Sequence, residues 1–130
     1  MGNATDKEII KVSFAAKRKH VKANLRIVAF KDGDYQIAYI PSLNVSAYGR
    51  TEEDAMSMLS ESIVKDYLLS LIELPEAKIL AELREYGWQR STFLPKQLSN
   101  VQFLSTEKIK ENFNLPAGTR FDEKLRSVTA

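Results

Sequence analysis

The stretch LRIVAFKDGDYQIAYIPSLNVSAYGRTEEDA, residues 25–55, decides the fold of this 130-residue chain. Residues 25–30 and 35–40 are two runs of strand-forming residues, and the turn-forming triplet Asp32-Gly33-Asp34 separates them. Two such runs around an Asp-Gly turn are typical of an antiparallel hairpin. Pro41 ends the second run, because proline has no N–H to donate to a strand ladder.

The residues after Pro41 predict a third strand and then a long helix. Residues 43–47 alternate apolar and polar side chains with a period of two, as a half-buried strand does. Thr51 is a good helix N-cap, and the acids at 52–54 suit the positive end of the helix dipole. The apolar stripe predicted for this helix comprises Met56, Leu59, Ile63, Tyr67 and Leu71.

Residues 76–86 predict a second helix, which Pro75 precedes and Gly87 ends. Tyr86 and Trp88 are expected to fill the core near its end rather than to stack on bases. The last residues are polar enough to be expected to fray. Further short elements are predicted as strands at 9–14, 93–94 and 101–104 and as a helix at 105–112.

The predicted fold class is therefore α+β, with a three-stranded antiparallel meander followed by a long helix, a further helix and short C-terminal elements. At 130 residues the chain is long enough for one ordinary domain. We expect a single domain over residues 1–130, with a core at 25–71 and a C-terminal extension at 75–130.

Two segments of this core carry a family resemblance: Tyr39-Ile40-Pro41-Ser42-Leu43, and Gly49-Arg50-Thr51-Glu52-Glu53-Asp54-Ala55 at the helix start. They resemble the HicB family of antitoxins, in which a strand-ending proline precedes a third strand and a Gly-x-Thr-x-Glu-Glu-Ala segment opens the helix. The resemblance implies a partial RNase H-like fold that binds and masks a small HicA-type ribonuclease toxin. The matching motif positions are Pro41, Gly49, Thr51, Glu53 and Ala55.

No catalytic residue, metal site or cofactor is expected in this chain. It has no cysteine, which excludes a Cys nucleophile, a disulfide and a Cys-based zinc site. His20, the only histidine, lies among lysines and arginines and is interpreted as a solvated loop residue rather than a general base. RNase H-type catalysis needs carboxylates gathered around metal ions, and the strands predicted within residues 25–47 contain none.

The net charge of +2 is unevenly distributed. Residues 1–31 carry eight basic and two acidic residues, whereas residues 32–90 carry five basic and eleven acidic ones. An acidic body suits a basic partner such as a small toxin. Alternatives are a nucleic-acid-binding regulator that uses the basic N-terminal arm, and an orphan HicB-like interaction domain without a toxin. The candidate anion contacts in that arm are Lys17, Arg18, Lys19 and Lys22.

No apolar run is long enough to span a bilayer, and the first residues contain no signal-peptide core. We therefore expect a cytoplasmic protein without a membrane partner. No ribbon-helix-helix or helix-turn-helix motif is recognisable after Trp88. The DNA-binding part of the antitoxin role is for this reason not assigned from the sequence.

The two faces of the predicted sheet differ in what could cover them. One face is expected to receive the long helix, and it carries Ile27, Ala29, Tyr35, Ile37, Tyr39, Leu43, Val45 and Ala47. The other face is too apolar for exposure to water, so residues 93–104, a second subunit or a partner protein must cover it. We expect a homodimer or higher oligomer. The candidate interface comprises Val28, Phe30, Ala38 and Ile40.

Overall fold

The computed structural model describes residues 8–13, 20–94 and 96–130, and a seven-stranded antiparallel sheet organises these residues. The α+β class and the antiparallel sheet predicted from the sequence are confirmed, although the sheet is larger than the predicted meander. The strands are β1 (Ile9–Ser13), β2 (His20–Asp32), β3 (Tyr35–Ile40), β4 (Val45–Gly49), β5 (Trp88–Arg90), β6 (Gln97–Asn100) and β7 (Phe121–Thr129).

Strand β2 is the centre of the sheet. Val28 pairs with Tyr39 of β3 and with Glu123 of β7, so β3 and β7 lie on opposite edges of β2. Asn24, nearer the start of β2, pairs in the same way with β1 and β7. One edge of β2 therefore pairs with β1 near its start and with β3 near its end, while β7 runs along the other edge. Outside β1 lie β6 and then β5, and outside β3 lies β4.

The helices are α1 (Glu52–Met58), α2 (Val64–Ile72), α3 (Glu76–Glu85) and α4 (Thr106–Asn112). A π-helical segment, Leu59–Ile63, joins α1 to α2 without a break, so residues 52–72 form the predicted long helix. Pro75 caps α3, and Gly87 follows that helix with a φ of +92°, which glycine adopts without strain.

The π-helical segment changes the middle of the buried stripe of the long helix. Met56, Leu59 and Leu71 of the predicted stripe are buried, but Val64 and Leu68 are fully buried in place of Ile63 and Tyr67. Ile63 is 36% exposed, and Tyr67 is half-buried. The reason is that a π-helical turn holds one residue more than an α-helical turn, so every later side chain is rotated around the axis.

The main core lies between this long helix, α3 and one face of the sheet. Alternate residues of β2 point into it because successive side chains of a strand face opposite sides. Their partners on β3 face the same way. Fully buried members include Leu25, Ile27, Ala38, Ile40, Leu59, Val64, Leu68, Ile79 and Leu83.

A second, smaller core covers the other face of the sheet. Phe113, which caps the end of α4, lies 5.1 Å from Phe30 and 5.0 Å from Tyr39 between ring centroids. Phe121 lies 5.5 Å from Phe30. Such tilted and edge-on ring pairs are favourable beyond the area they bury. The buried members of this cluster are Val28, Phe30, Tyr39 and Ile109, with Ile37, Leu104, Phe113, Leu115 and Phe121 packed against them.

The candidate interface of Val28, Phe30, Ala38 and Ile40 is therefore wrong as an exposed surface: all four side chains are buried within the chain. They also do not share a face. Val28 and Phe30 belong to the second core, whereas Ala38 and Ile40 face the helices.

The reason is the length of the hairpin turn. Asp32 pairs with Tyr35, so the loop holds two residues rather than the three expected, and the register moves by one. Gly33, at φ +62°, stands where type II′ turns place glycine. A one-residue change of register exchanges the two faces of a strand.

Three other predictions about the flanking residues are corrected. Strand β4 begins at Val45, because Leu43 lies buried in the turn that Asn44 closes with a φ of +52°. Residues 93–94 and 101–104 form no strand, and Gln97–Asn100 does instead. The polar C-terminal residues do not fray but form β7. Seven of the nine residues of β7 are exposed, so its sequence lacks the alternation of apolar and polar residues that predicts a half-buried strand.

The corner at Pro41–Ser42 is held by buried hydrogen bonds. Trp88 Nε1 donates to the Ser42 carbonyl oxygen at 2.8 Å, which confirms that Trp88 is a core residue. Ser42 Oγ donates to Glu8 Oε2 at 2.6 Å, and the Arg26 backbone N–H donates to the same oxygen at 2.9 Å. Burial raises the pKa of Glu8 above its ordinary value, against the lowering effect of these hydrogen bonds.

Glu8→Gln is expected to remove a pH dependence of stability. Because the folded state holds the Glu8 proton more tightly than the unfolded state, the free energy of unfolding should fall as pH rises above the ordinary glutamate value of 4.5. Urea unfolding of the wild type and of Glu8→Gln at pH values below and above 4.5 measures the effect. Relative to the variant, the wild type should lose stability with rising pH. A difference independent of pH would contradict the expectation.

Candidate protein-binding surface

The motif residues that carry the family resemblance have structural positions. Thr51 Oγ1 accepts a hydrogen bond from the Asp54 backbone N–H at 3.0 Å, so Thr51 is the N-cap as predicted. Ala55 is fully buried. A Cβ on Gly49 would lie 2.8 Å from the Ala55 backbone nitrogen, so only glycine lets β4 pass this close to the helix start. Pro41 is half-buried beside the Ser42 corner, and Glu53 is exposed in the first turn.

The exposed side of the long helix combines acidic and apolar side chains. We call Asp54, Met58, Glu61, Asp66 and Leu69 the outer helix face, because each is exposed and they follow one another at three- to five-residue steps. Met58 is 49% exposed and Leu69 is 48% exposed. Apolar side chains this exposed beside carboxylates are suited to contact a protein that carries both apolar and basic groups.

Charge along this helix is strongly one-sided. Residues 52–72 contain five acidic residues and a single lysine, Lys65. The three acids of the first turn are also stabilised by the helix dipole, since negative charge is favoured at a helix N-terminus. One of these acids, Glu52, is paired with Lys124 of β7 at 3.7 Å, and the other four acids outnumber Lys65 on this helix.

The outer helix face stands on a well-packed support. Behind it, Leu59, Val64 and Leu68 are fully buried. Tyr67 Oη donates a hydrogen bond to Glu82 Oε2 at 2.6 Å and so ties α2 to α3. Burial and this carboxylate raise the pKa of Tyr67, which keeps its hydroxyl protonated as a donor. The backbone of the outer helix face is therefore already ordered, so a partner on this face would not have to order a loop.

Of the predicted anion contacts, Lys17, Arg18 and Lys19 lie outside the described residues. Lys22 is exposed in β2, directly opposite Lys11 of β1. Sequence reasoning missed Lys11, which lies in a predicted strand and not in the basic cluster. His20 stands exposed at the start of β2 rather than in a loop.

A second surface feature is a groove of about 570 Å³ on the sheet face opposite the long helix. The Arg26 guanidinium lies 4.4 Å from the centre of the Phe103 ring, although Phe103 remains 74% exposed. Arg26 Nη1 donates to the Leu104 carbonyl oxygen at 2.7 Å, and Nε donates to Glu123 Oε1 at 2.9 Å. This groove could not be predicted from local sequence patterns, because its walls come from β2, β7 and the segment after β6.

Among the described residues, no three His, Cys, Asp or Glu side chains lie close enough together to hold a metal ion. None of the helices in the described ranges is both long and apolar enough to cross a bilayer. No protein-family model matches the sequence, and no curated protein or solved structure is detectably similar to it.

Proposed function

We propose that this chain is a non-catalytic, HicB-like antitoxin that binds and masks a small basic ribonuclease toxin through the outer helix face. The observation that carries the proposal is the combination of exposed apolar and acidic side chains on that face, Met58 and Leu69 beside Glu61 and Asp66. A ribonuclease that grips RNA is basic where it binds phosphate. An acidic surface that covers the same site blocks RNA by steric exclusion and by charge.

The resemblance to the HicB family supports the proposal through the local structure of the motif. Gly49, Thr51 and Ala55 place the helix start against β4, and β2, β3 and β4 form the antiparallel meander that the family pattern implies. In this proposal β2 to α2 is a partial RNase H-like unit, and β1, β5, β6 and β7 complete the sheet. The cytoplasm is the compartment in which such a toxin would act.

The test is to express the chain together with each protein encoded by its flanking genes. We expect one of them to be a short basic ribonuclease that stops growth when produced alone and forms a stable complex with this chain. Growth should recover when both are present. If neither flanking product is basic, or if none binds, the antitoxin proposal is wrong. Binding of RNA or DNA by the chain alone would favour a nucleic-acid-binding regulator instead.

Reversing two charges of the outer helix face, in Glu61→Lys with Asp66→Lys, is expected to weaken the complex about 10- to 100-fold, chiefly through slower association. The matched control is Glu111→Lys, since Glu111 is an exposed acid on α4, away from that face. Surface plasmon resonance at two salt concentrations measures both rates. Equal effects of the control and the double variant would remove the outer helix face from the proposal.

A further inference from the structure

Strand β7 leaves a long, open edge on the sheet. It pairs with β2 from Phe121 to Thr129, and within the described residues no strand pairs with its other side. Backbone N–H and C=O groups along that side are therefore available to another strand. Native proteins usually shorten such an edge, cover it, place charged side chains on it or interrupt it with proline. Strand β7 is nine residues long and has no proline, so its charged side chains decide which strand can pair with it.

The side chains of β7 provide charge of both signs at this edge. Lys124 Nζ lies 3.7 Å from a Glu52 carboxylate oxygen and 3.9 Å from an Asp122 carboxylate oxygen. The neighbouring Asp122 carboxyl is the main cause that raises the pKa of Glu52. Two carboxylates thus share one lysine, and a second cation beside Asp122 would relieve their repulsion. On the opposite face Glu123 is already held by Arg26.

A second copy of the chain can supply that cation. Two identical strands can pair antiparallel about a two-fold axis perpendicular to the sheet. Residues that lie opposite each other then have their side chains on the same face. Because faces alternate along a strand, the two residue numbers of every opposed pair add up to the same even number. With Glu123 at the axis, Asp122 lies opposite Lys124 of the second copy, and this pair occurs twice. Phe121 then lies opposite Leu125 of the second copy, again twice. The two Glu123 carboxylates at the axis are each held by the Arg26 of their own chain.

The groove beside β7 adds an apolar reason for the same arrangement. Leu125, Val101 and Phe103 line it and are 38%, 59% and 74% exposed. The second copy would bring its Phe121 against Leu125 at the rim of this groove. Charge pairing on one face of the sheet and apolar contact on the other face therefore favour the same register.

We propose that two copies of this chain associate by antiparallel pairing of their β7 strands, with Glu123 at the two-fold axis and Asp122 opposite Lys124 of the second copy. The two sheets become one continuous sheet. The interface is the open edge of β7, whereas the outer helix face belongs to the long helix. The two surfaces adjoin, because Glu61 of that face lines one groove with Lys124 and Arg126 of β7.

A charge-swap experiment tests the interface. Analytical ultracentrifugation at micromolar concentrations should show a dimer for the wild type and at least a tenfold weaker dimer for Asp122→Lys and for Lys124→Asp. The double variant that carries both changes should regain the dimer, because it restores opposite charges across the axis. Lys65→Asp is the matched control, because Lys65 is an exposed residue of α2 and not of β7, and it should leave the dimer unchanged. A monomeric wild type, or single variants that dimerise normally, would overturn the proposal.

Disulfide trapping tests the register even if a charge variant folds poorly. The chain contains no cysteine, so a single introduced cysteine reports one position. Residues opposed across an antiparallel pair lie within about 4.5–5.5 Å between Cα atoms, which a disulfide can span. Glu123→Cys should therefore form a covalent dimer on mild oxidation, whereas Ser127→Cys should not. Trapping through Ser127→Cys but not Glu123→Cys would show the register to be wrong.

Discussion

Removal of residues 121–130 is expected to leave the chain without a stable native state. Strand β7 pairs with β2 along residues 22–30, so its loss opens one edge of the central strand over nine residues. It also removes the buried Val128 from the main core and Phe121 from the second core. The free-energy cost of the unpaired backbone groups and of the two exposed core surfaces together exceeds the roughly 5–15 kcal/mol by which domains of this size are stable.

Thermal unfolding followed by circular dichroism measures this outcome. The truncated chain should show no cooperative transition, whereas adding a peptide of residues 121–130 should restore one by re-forming the ladder. A scrambled peptide of the same composition is the matched control. A truncated chain that unfolds cooperatively near the wild-type midpoint would show that β7 is an accessory strand.

Phe30→Ala is expected to lower the free energy of unfolding by about 3–5 kcal/mol, the usual cost of emptying a large aromatic site in a core. Phe30 is 2% exposed and contacts both Phe113 and Phe121, so its loss weakens the attachment of the C-terminal segment to the sheet. Phe93→Ala is the matched control: Phe93 is 90% exposed, and its replacement should change stability by less than about 0.5 kcal/mol.

Urea unfolding of the two variants distinguishes an internal core from a surface. If Phe30 faced only solvent or a partner, Phe30→Ala would cost no more than the control in the isolated chain. The size of the effect therefore tests directly whether α4 covers this face of the sheet.

Local patterns predicted the elements that depend on local chemistry. The strand at Tyr35–Ile40 has the predicted bounds, and the helix start at Thr51 follows from a capping side chain three residues before its N–H partner. The helix after Pro75 is likewise set by residues close in sequence. These features need only propensity, capping and turn chemistry, which a single sequence displays.

The predictions that failed depend on geometry that hydropathy does not record. A loop of two residues at Gly33 and Asp34, rather than three, changed which residues of β3 face the helices. One extra residue in the π-helical turn moved the stripe from Ile63 to Val64. Strand β7 is held mainly by backbone pairing, and its charged side chains give no apolar alternation to detect.

The candidate surface was only partly predictable for the same reason. The acidic character of residues 52–72 is visible in the sequence, but which acids share a face with Met58 and Leu69 depends on the helix phase. The groove at Arg26 and Phe103 joins residues 77 positions apart, and only the folded chain brings them together.

The pairing of β2 with β7 has a consequence for how this chain folds during synthesis. Residues that pair in this ladder, such as Phe30 and Phe121, lie roughly a hundred residues apart in sequence. The ladder therefore closes only after nearly all the described chain has left the ribosome. Until then the longest strand among the described residues leaves one edge of backbone N–H and C=O groups unpaired, a state prone to mispairing with other nascent chains. Holding chaperones that cover such edges should therefore raise the yield of folded protein more than slower translation does.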